Sequence, residues 1–312
     1  MLVVRSNADV PAAARGGVLT IGNFDGVHRG HQAVIGEVRR LAEAHGVSAG
    51  VMLFDPHPRE FFQPDKPVFT LTPMPYRLEL LAALKLDFAA VLTFDKALAG
   101  LSAHQFIADV LVGGFAVRHL VVGYDFNFGK GRAGNDALLL AEGKRHGYGL
   151  DVQAPTGDAA AAYSSSRVRE QLRAGDVAEA ARLLGRWWRI SGTVIAGAGR
   201  GAELGYPTAN IHLPAGIELA HGIYAARAWS EGKPFAAAAY LGQRPSFDNG
   251  APVFEVFLLD FEGNLYGRQL SIDLVAFIRE DRNFRDMAAL KTQMDLDVAE
   301  AIRHLAKDAI RP

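Results

Sequence analysis

The sequence predicts a two-domain protein of α/β class: a parallel-sheet domain, then a small antiparallel β-barrel and a C-terminal helix. Three observations predict it. The first half alternates short apolar runs with helical patterns, the mark of strands joined by crossover helices on both faces of a sheet. After Trp187 the chain turns into successive strands separated by Gly and Pro, with no helical period between them. The length of 312 residues also exceeds what one hydrophobic core usually serves.

Along the first half, Val18–Ile21 reads as a strand, and Val34, Ile35, Val38 and Leu41 recur at helical spacing until Gly46 ends the helix. Val51–Phe54, Ala90–Thr93, Leu120–Val122 and Leu150–Gln153 are the further strands. Helices fall near Ser102–Val112 and Asp136–His146, and two short ones, near Arg167–Arg173 and Val177–Leu184, close this half. Ala159–Ala162 reads as a flexible loop. The boundary is placed near Gly185, giving domains 1–185 and 186–312. The second half carries strands over Ile190–Ile195, Ile223–Trp229, Phe235–Leu241, Val253–Phe261 and Leu270–Ile278. Leu290, Met294, Val298, Ile302 and Leu305 form one stripe of a helix over Met287–Ile310.

Composition excludes several functions. Thirty-three basic against thirty-four acidic residues leave a formal charge of −1, which gives a nucleic acid no dense basic surface to bind. Phosphate must then be held locally, by helix N-termini, loop amides, a few cations and a metal ion. The absence of cysteine rules out disulfides, thiolate metal sites and a cysteine nucleophile. Neither a secretory leader nor an apolar run of about 20 residues is present, so a soluble, cytoplasmic protein is expected.

Two segments carry the chemistry of the first half. Gly22-Asn23-Phe24-Asp25-Gly26-Val27-His28-Arg29-Gly30-His31 follows the first strand and opens the first helix, where open parallel sheets bind ligands. Unpaired N–H groups at a helix start suit phosphate, Gly22, Gly26 and Gly30 permit close backbone approach, and His28 and His31 can face charge developing on a phosphate. A lone histidine would read as part of a surface turn; the whole constellation reads as a site. The His-x-x-His pair lacks the glutamate of a zinc-protease helix and an evident third metal ligand. Ser164, Ser165 and Ser166 stand at another helix start with Arg167 behind them, which plain N-capping also explains. Together with the histidines they resemble the two phosphate-binding signatures of the HxGH nucleotidyltransferases. Between them, Gly129, Gly131 and Gly134 spell a GxGxxG too late in the sheet for a dinucleotide fingerprint, and a mobile loop near adenine or flavin fits better.

In the second half, a loop with glycines at 197, 199, 201 and 205 leads into Tyr206-Pro207-Thr208-Ala209-Asn210-Ile211. Extended geometry puts Thr208 and Asn210 on one face, where a hydroxyl and an amide oxygen can meet Mg²⁺ and the phosphates it carries. Glu255 interrupts the apolar run Val253–Leu259, and a carboxylate there is costly unless paired or used. It is either a strand glutamate paired with an arginine or a general base for a hydroxyl attacking the γ-phosphate of ATP.

At these residues the chain resembles the bacterial bifunctional riboflavin kinase/FAD synthetases. GNFDGVHRGH (22–31), FDPHP (54–58), VGYDFNFGKGR (122–132) and SSSRVR (164–169) look like the FMN adenylyltransferase module. LGYPTANI (204–211), GIYA (222–225), LGQRPSF (241–247), FEVFLLDFEGNLYGR (254–268) and FIREDRNF (277–284) are similar to the riboflavin kinase module. The resemblance implies a Rossmann-like first domain and a six-stranded Greek-key barrel. It implies ATP as co-substrate with Mg²⁺ at both sites, riboflavin, FMN and FAD as ligands, and ADP and pyrophosphate as products. His28, His31 and Glu255 would be catalytic. Gly22, Asn23, Phe24, Asp25, Gly30, Ser165, Ser166, Arg167, Thr208 and Asn210 would bind nucleotide or phosphate, with Thr208 and Asn210 also at the metal. Asp125, Phe126 and Arg279 would bind flavin. Ala202 stands where relatives commonly have arginine, with Arg200 a possible substitute. Phe257 stands where many have histidine, and Asn135 and Asn264 where many have aspartate. The alternatives are another HxGH nucleotidyltransferase with a ligand-binding barrel, and a sensor without turnover.

Overall fold

The computed structural model describes residues 1–197, 204–214, 216–243 and 252–307. The expectations on Gly199, Arg200, Gly201, Ala202, residues 244–247 and Ile310 lie outside the described residues. Two compact units divide the chain, Met1–Ser165 and Ser166–Pro312.

The first unit is built on a parallel sheet of β1 (Leu2–Val4), β2 (Val18–Ile21), β3 (Ala49–Asp55), β4 (Phe88–Thr93), β5 (His119–Gly123) and β6 (Gly149–Gln153). Its order is β1-β4-β3-β2-β5-β6, every neighbouring pair parallel. The chain proceeds outward from β2 to β3 on one side and returns to β5 on the other. The end of β2 is therefore a topological switch point, where such sheets open a crevice. α1 (Arg29–His45) follows β2, and α2 (Pro58–Phe62) and α3 (Met74–Ala83) follow β3. α4 (Lys96–Gly100) and α5 (Ala103–Gln105) follow β4, and α6 (Asp136–His146) precedes β6.

Alternation along the strands feeds two cores. Val18, Val51, Leu53, Val91 and Val121 pack with Ile35, Val38 and Leu41 of α1 and Leu81 of α3. Leu19, Ile21, Met52, Leu92, Leu120 and Val122 face the other way, onto Ile107, Val110, Leu111 and Leu139. Gly46, in the left-handed region at φ 64°, ends α1 at the expected place. The helix expected over Ser102–Val112 begins with a Ser102/Gln105 capping box and then widens into π-helical turns over Phe106–Gly114. Apolar residues on both sides of Asp109 pack in either geometry, so periodicity does not distinguish them.

The second unit begins at Ser166 within α7 (Ser165–Arg173), holds α8 (Val177–Leu184) and continues as β7 (Trp188–Ile195), β8 (Thr208–Ile211), β9 (Gly222–Ser230), β10 (Lys233–Gln243), β11 (Pro252–Leu258) and β12 (Gln269–Arg279). These strands close into an antiparallel barrel, β10-β11-β8-β7-β12-β9, so β7 and β8 pair with strands distant in sequence. Leu270, Ile272 and Leu274 alternate into the interior with Phe254, Val256 and Leu258. Alanines 226, 228, 237 and 239 keep the closed barrel narrow. α9 (Met287–Ala306) ends the described chain. α8 buries Val177, Ala180, Ala181, Leu183 and Leu184 and packs on β7 and β12, so the unit division falls earlier than Gly185. No helix among the described residues is long and apolar enough to cross a membrane.

Candidate functional sites

The first site begins where β2 ends. Phe24 (φ 50°) and Val27 (φ 43°) both occupy the left-handed region, although neither is glycine. Each such residue costs about 1–3 kcal/mol and persists only when its surroundings over-determine it. Here both side chains are buried in the core shared with α1. The distorted loop delivers His28 to the N-cap of α1, where its Nδ1 accepts the backbone N–H of His31 at 3.3 Å. The imidazoles stack at 3.6 Å between centroids, and Phe24 lies 4.8 Å from the His31 ring. Gly30 makes the stacking possible: a Cβ there would stand 3.1 Å from the His28 ring and 3.3 Å from the Tyr163 Cβ.

Asp25 is placed otherwise than a solvent-facing phosphate ligand. It is 3% exposed, and its carboxylate accepts from Leu71 N (3.0 Å), Thr72 N (2.9 Å), Thr72 Oγ1 (3.1 Å) and Arg77 Nη2 (3.2 Å). Its carbonyl accepts the Ser165 hydroxyl at 2.8 Å, which ties the histidine loop to the serine segment. Ser166, exposed, and Arg167 follow on the first turn of α7, and Arg167 Nη2 meets Glu179 Oε1 at 3.1 Å. Gly22 and Asn23 lie half-buried at the end of β2. After β5, Asp125 is exposed and Phe126 stacks on Phe128 at 5.4 Å.

The second site sits on the barrel. β8 and β11 run antiparallel with Glu255 opposite Asn210 and Phe257 opposite Thr208. Ala209, Ile211, Phe254 and Val256 point into the interior, so Thr208, Asn210 and Glu255 share the other face, half-buried. Thr208 Oγ1 donates to Glu255 Oε2 at 3.2 Å. Gly197 passes over this group so closely that a Cβ would overlap the Asn210 amide. Tyr206, just ahead of Thr208, packs edge-on against Phe257 at 5.1 Å and donates its hydroxyl to Asp295 of α9. That bond, with burial second, pushes its phenol up to about 12. Arg279 grips α9 as well: Nε and Nη2 reach the Asp297 carboxylate at 2.8 and 2.6 Å, and Nη1 reaches Glu280 O at 2.9 Å. Its guanidinium is thus occupied in docking the helix.

The spacing of residues gave no sign of Thr72, Arg77, Asp295 or Asp297. Among the described residues, no group of three or more His, Cys, Asp or Glu can hold a metal. The Thr208 hydroxyl and the Asn210 amide oxygen instead suit a Mg²⁺ that completes its shell with phosphate oxygens and water.

Each half of the chain matches a family of known proteins. Residues 10–167 match the FAD synthetase family, and residues 184–305 match the riboflavin kinase family. The bifunctional riboflavin kinase/FMN adenylyltransferase of Pseudomonas fluorescens is 38% identical over 318 residues, covering 100% of both chains. The chain belongs to the bifunctional riboflavin kinase/FMN adenylyltransferase family. A further member, from Escherichia coli strain K12, is 37% identical over 92% of each chain. A crystal structure of a protein named macrolide-efflux protein, from Streptococcus pneumoniae, superposes with a TM-score of 0.86 at 25% identity, over 96% of this chain and 98% of that one. The family matches leave residues 168–183 between them, the stretch holding most of α7 and α8.

Proposed function

We propose that this protein makes both flavin cofactors, phosphorylating riboflavin to FMN at the barrel and adenylylating FMN to FAD at the parallel sheet. ATP is the co-substrate of both steps, with ADP and pyrophosphate released. The functional division follows residues 1–185 and 186–312. The observation that carries the reading is the meeting of Thr208, Asn210 and Glu255 on one face of a barrel, in a chain that also carries the stacked histidine pair.

At the first site, an FMN phosphate oxygen attacks the α-phosphate of ATP. His28 and His31, beside the N-terminal amides of α1, stabilise the charge that builds there. Gly22, Asn23, Phe24 and Gly30 let the nucleotide approach, while Ser165, Ser166 and Arg167 receive phosphate from the start of α7. Asp125 and Phe126 meet the flavin. At the second site, Glu255 takes the proton of the riboflavin hydroxyl as it attacks the γ-phosphate. Thr208 and Asn210 would hold Mg²⁺, which when bound neutralises phosphate charge. Arg279 serves the flavin through the segment it anchors beyond β12. Neither step needs a covalent enzyme intermediate. The near-neutral chain has no role for nucleic acid or membrane, and the cytoplasm supplies its ATP.

Incubation with riboflavin, ATP and Mg²⁺, followed by chromatography, tests this directly. FMN and FAD both form if the reading holds; FAD from added FMN without any FMN from riboflavin reduces the barrel to a binding domain.

A further inference from the structure

Beneath the histidine loop lies a buried polar cluster with no place in the transfer chemistry itself. Arg77, on α3, is 5% exposed and reaches three partners: Asn23 O at 2.8 Å, Thr72 O at 2.8 Å and the Asp25 carboxylate at 3.2 Å. Thr72 is fully buried, gives its hydroxyl to Asp25 at 3.1 Å and accepts Gly26 N at 2.9 Å. Leu81, one turn further along the same helix, is an ordinary core residue. A position that only had to be filled would be served as well by an apolar side chain, since buried ion pairs are often neutral or unfavourable against apolar replacements.

The bonds of this cluster fall on three residues of one short loop: Asn23, Asp25 and Gly26. That loop holds Phe24 and Val27 in the left-handed region and ends at His28. Asp25 also receives Ser165, so a displacement of Asp25 moves both phosphate-binding segments. We propose that Arg77 and Thr72 are positioning residues for adenylyl transfer, acting through Asn23 and Asp25 to set the His28–His31 pair and Ser165. The proposal rests on the assignment of adenylyl transfer to the histidine pair. Arg77 clamps a main-chain carbonyl and a carboxylate with separate nitrogens, a geometry lysine cannot reproduce in full.

The test uses the full-length protein with Arg77→Met, Arg77→Lys and Thr72→Val, and His31→Ala in parallel. FAD formation from FMN and ATP is compared with riboflavin phosphorylation in each preparation, and histidine imidazole signals are followed by NMR. In Arg77→Met, kcat for FAD formation should fall by about 10²-fold, the scale of a misplacement of about 1 Å. KM for ATP should stay within roughly threefold of the parent, because the transition state and not the ground state loses complementarity. Riboflavin phosphorylation should be unchanged, Arg77→Lys should recover part of the loss, and Thr72→Val should fall in the same direction. The His28 and His31 signals should move in all three variants. An unchanged kcat in Arg77→Met and Thr72→Val overturns the proposal, as does a lower yield of folded protein with normal kcat and unmoved imidazole signals. If Arg77→Met does not fold, Thr72→Val and Arg77→Lys decide by the same criteria. Full FAD formation in His31→Ala would sink the site assignment instead, a different failure from that of the positioning role of Arg77 and Thr72.

Discussion

Thr208 and Glu255, 47 positions apart in the sequence, share a hydrogen bond of 3.2 Å. The bond aims one carboxylate oxygen at the residue proposed to hold Mg-ATP, so base and nucleotide are set by the same pair of strands. Glu255→Gln keeps the shape and removes the base. FMN formation should drop by about 10²-fold or more, while FAD formation from added FMN continues. Chromatography of both products reads the two outcomes together, and loss of both activities in a folded variant would contradict two separate sites.

His31→Ala should give the mirror image, with FMN accumulating and FAD missing. Gly30→Ala is the subtler probe, because its methyl would press on the His28 ring and on Tyr163. FAD formation should fall at least about tenfold, roughly 1.4 kcal/mol of barrier, with riboflavin phosphorylation intact.

These sites were legible in the sequence to different depths. The strand at Val18–Ile21, the glycine-rich turn and the helix start could be placed because each rests on local chemistry. The pairing of Glu255 with Thr208 and Asn210 needed a register between β8 and β11 that no local pattern states. Arg77 was invisible for another reason: in Pro-Tyr-Arg-Leu-Glu it reads as a surface helix residue, and its partner Asp25 lies 52 positions away. α7 and α8 were recognised as helices, yet an apolar stripe does not say which core it will join.

Gly197→Ala should impair the kinase alone. The added Cβ collides with the Asn210 amide, so the loop must lift or Asn210 must turn. Steady-state kinetics with riboflavin should show lower kcat/KM, and FAD synthesis from FMN should be untouched.

The barrel wall carries its own strut. Asp273, 7% exposed, accepts Arg189 Nε and Nη2 at 2.6 and 2.7 Å and Trp229 Nε1 at 2.7 Å, bracing β7, β9 and β12. Asp273→Ala should cost about 3 kcal/mol, since the guanidinium and indole stay behind in a protected site. All three tryptophans belong to the second half, so fluorescence during urea unfolding reports that unit by itself. A loss of unfolding free energy below about 0.5 kcal/mol would show the strut to be dispensable.

Tyr206 supplies a prediction at high pH. Its phenol titrates at about 12, held up first by the bond to Asp295 and then by burial, against about 10 when unfolded. The folded state therefore favours the protonated phenol. That contribution is fully present below about pH 10 and is lost as pH rises through about 12. Phenolate absorbance of Asp295→Asn should show one tyrosine ionising earlier than in the parent; an unchanged titration would mean that the bond to α9 does not form in solution.

Closure of the barrel bears on how such a chain can be inherited. β10 is paired on both sides, to β9 and to β11, and the ring returns on itself, so among the described residues the barrel strands bearing Glu255 offer no open ladder to a stray strand. The parallel sheet does have borders, at β1 and β6, and one of them is only three residues long. A unit sealed in this way can be fused, duplicated or dropped from a gene without exposing a sticky edge.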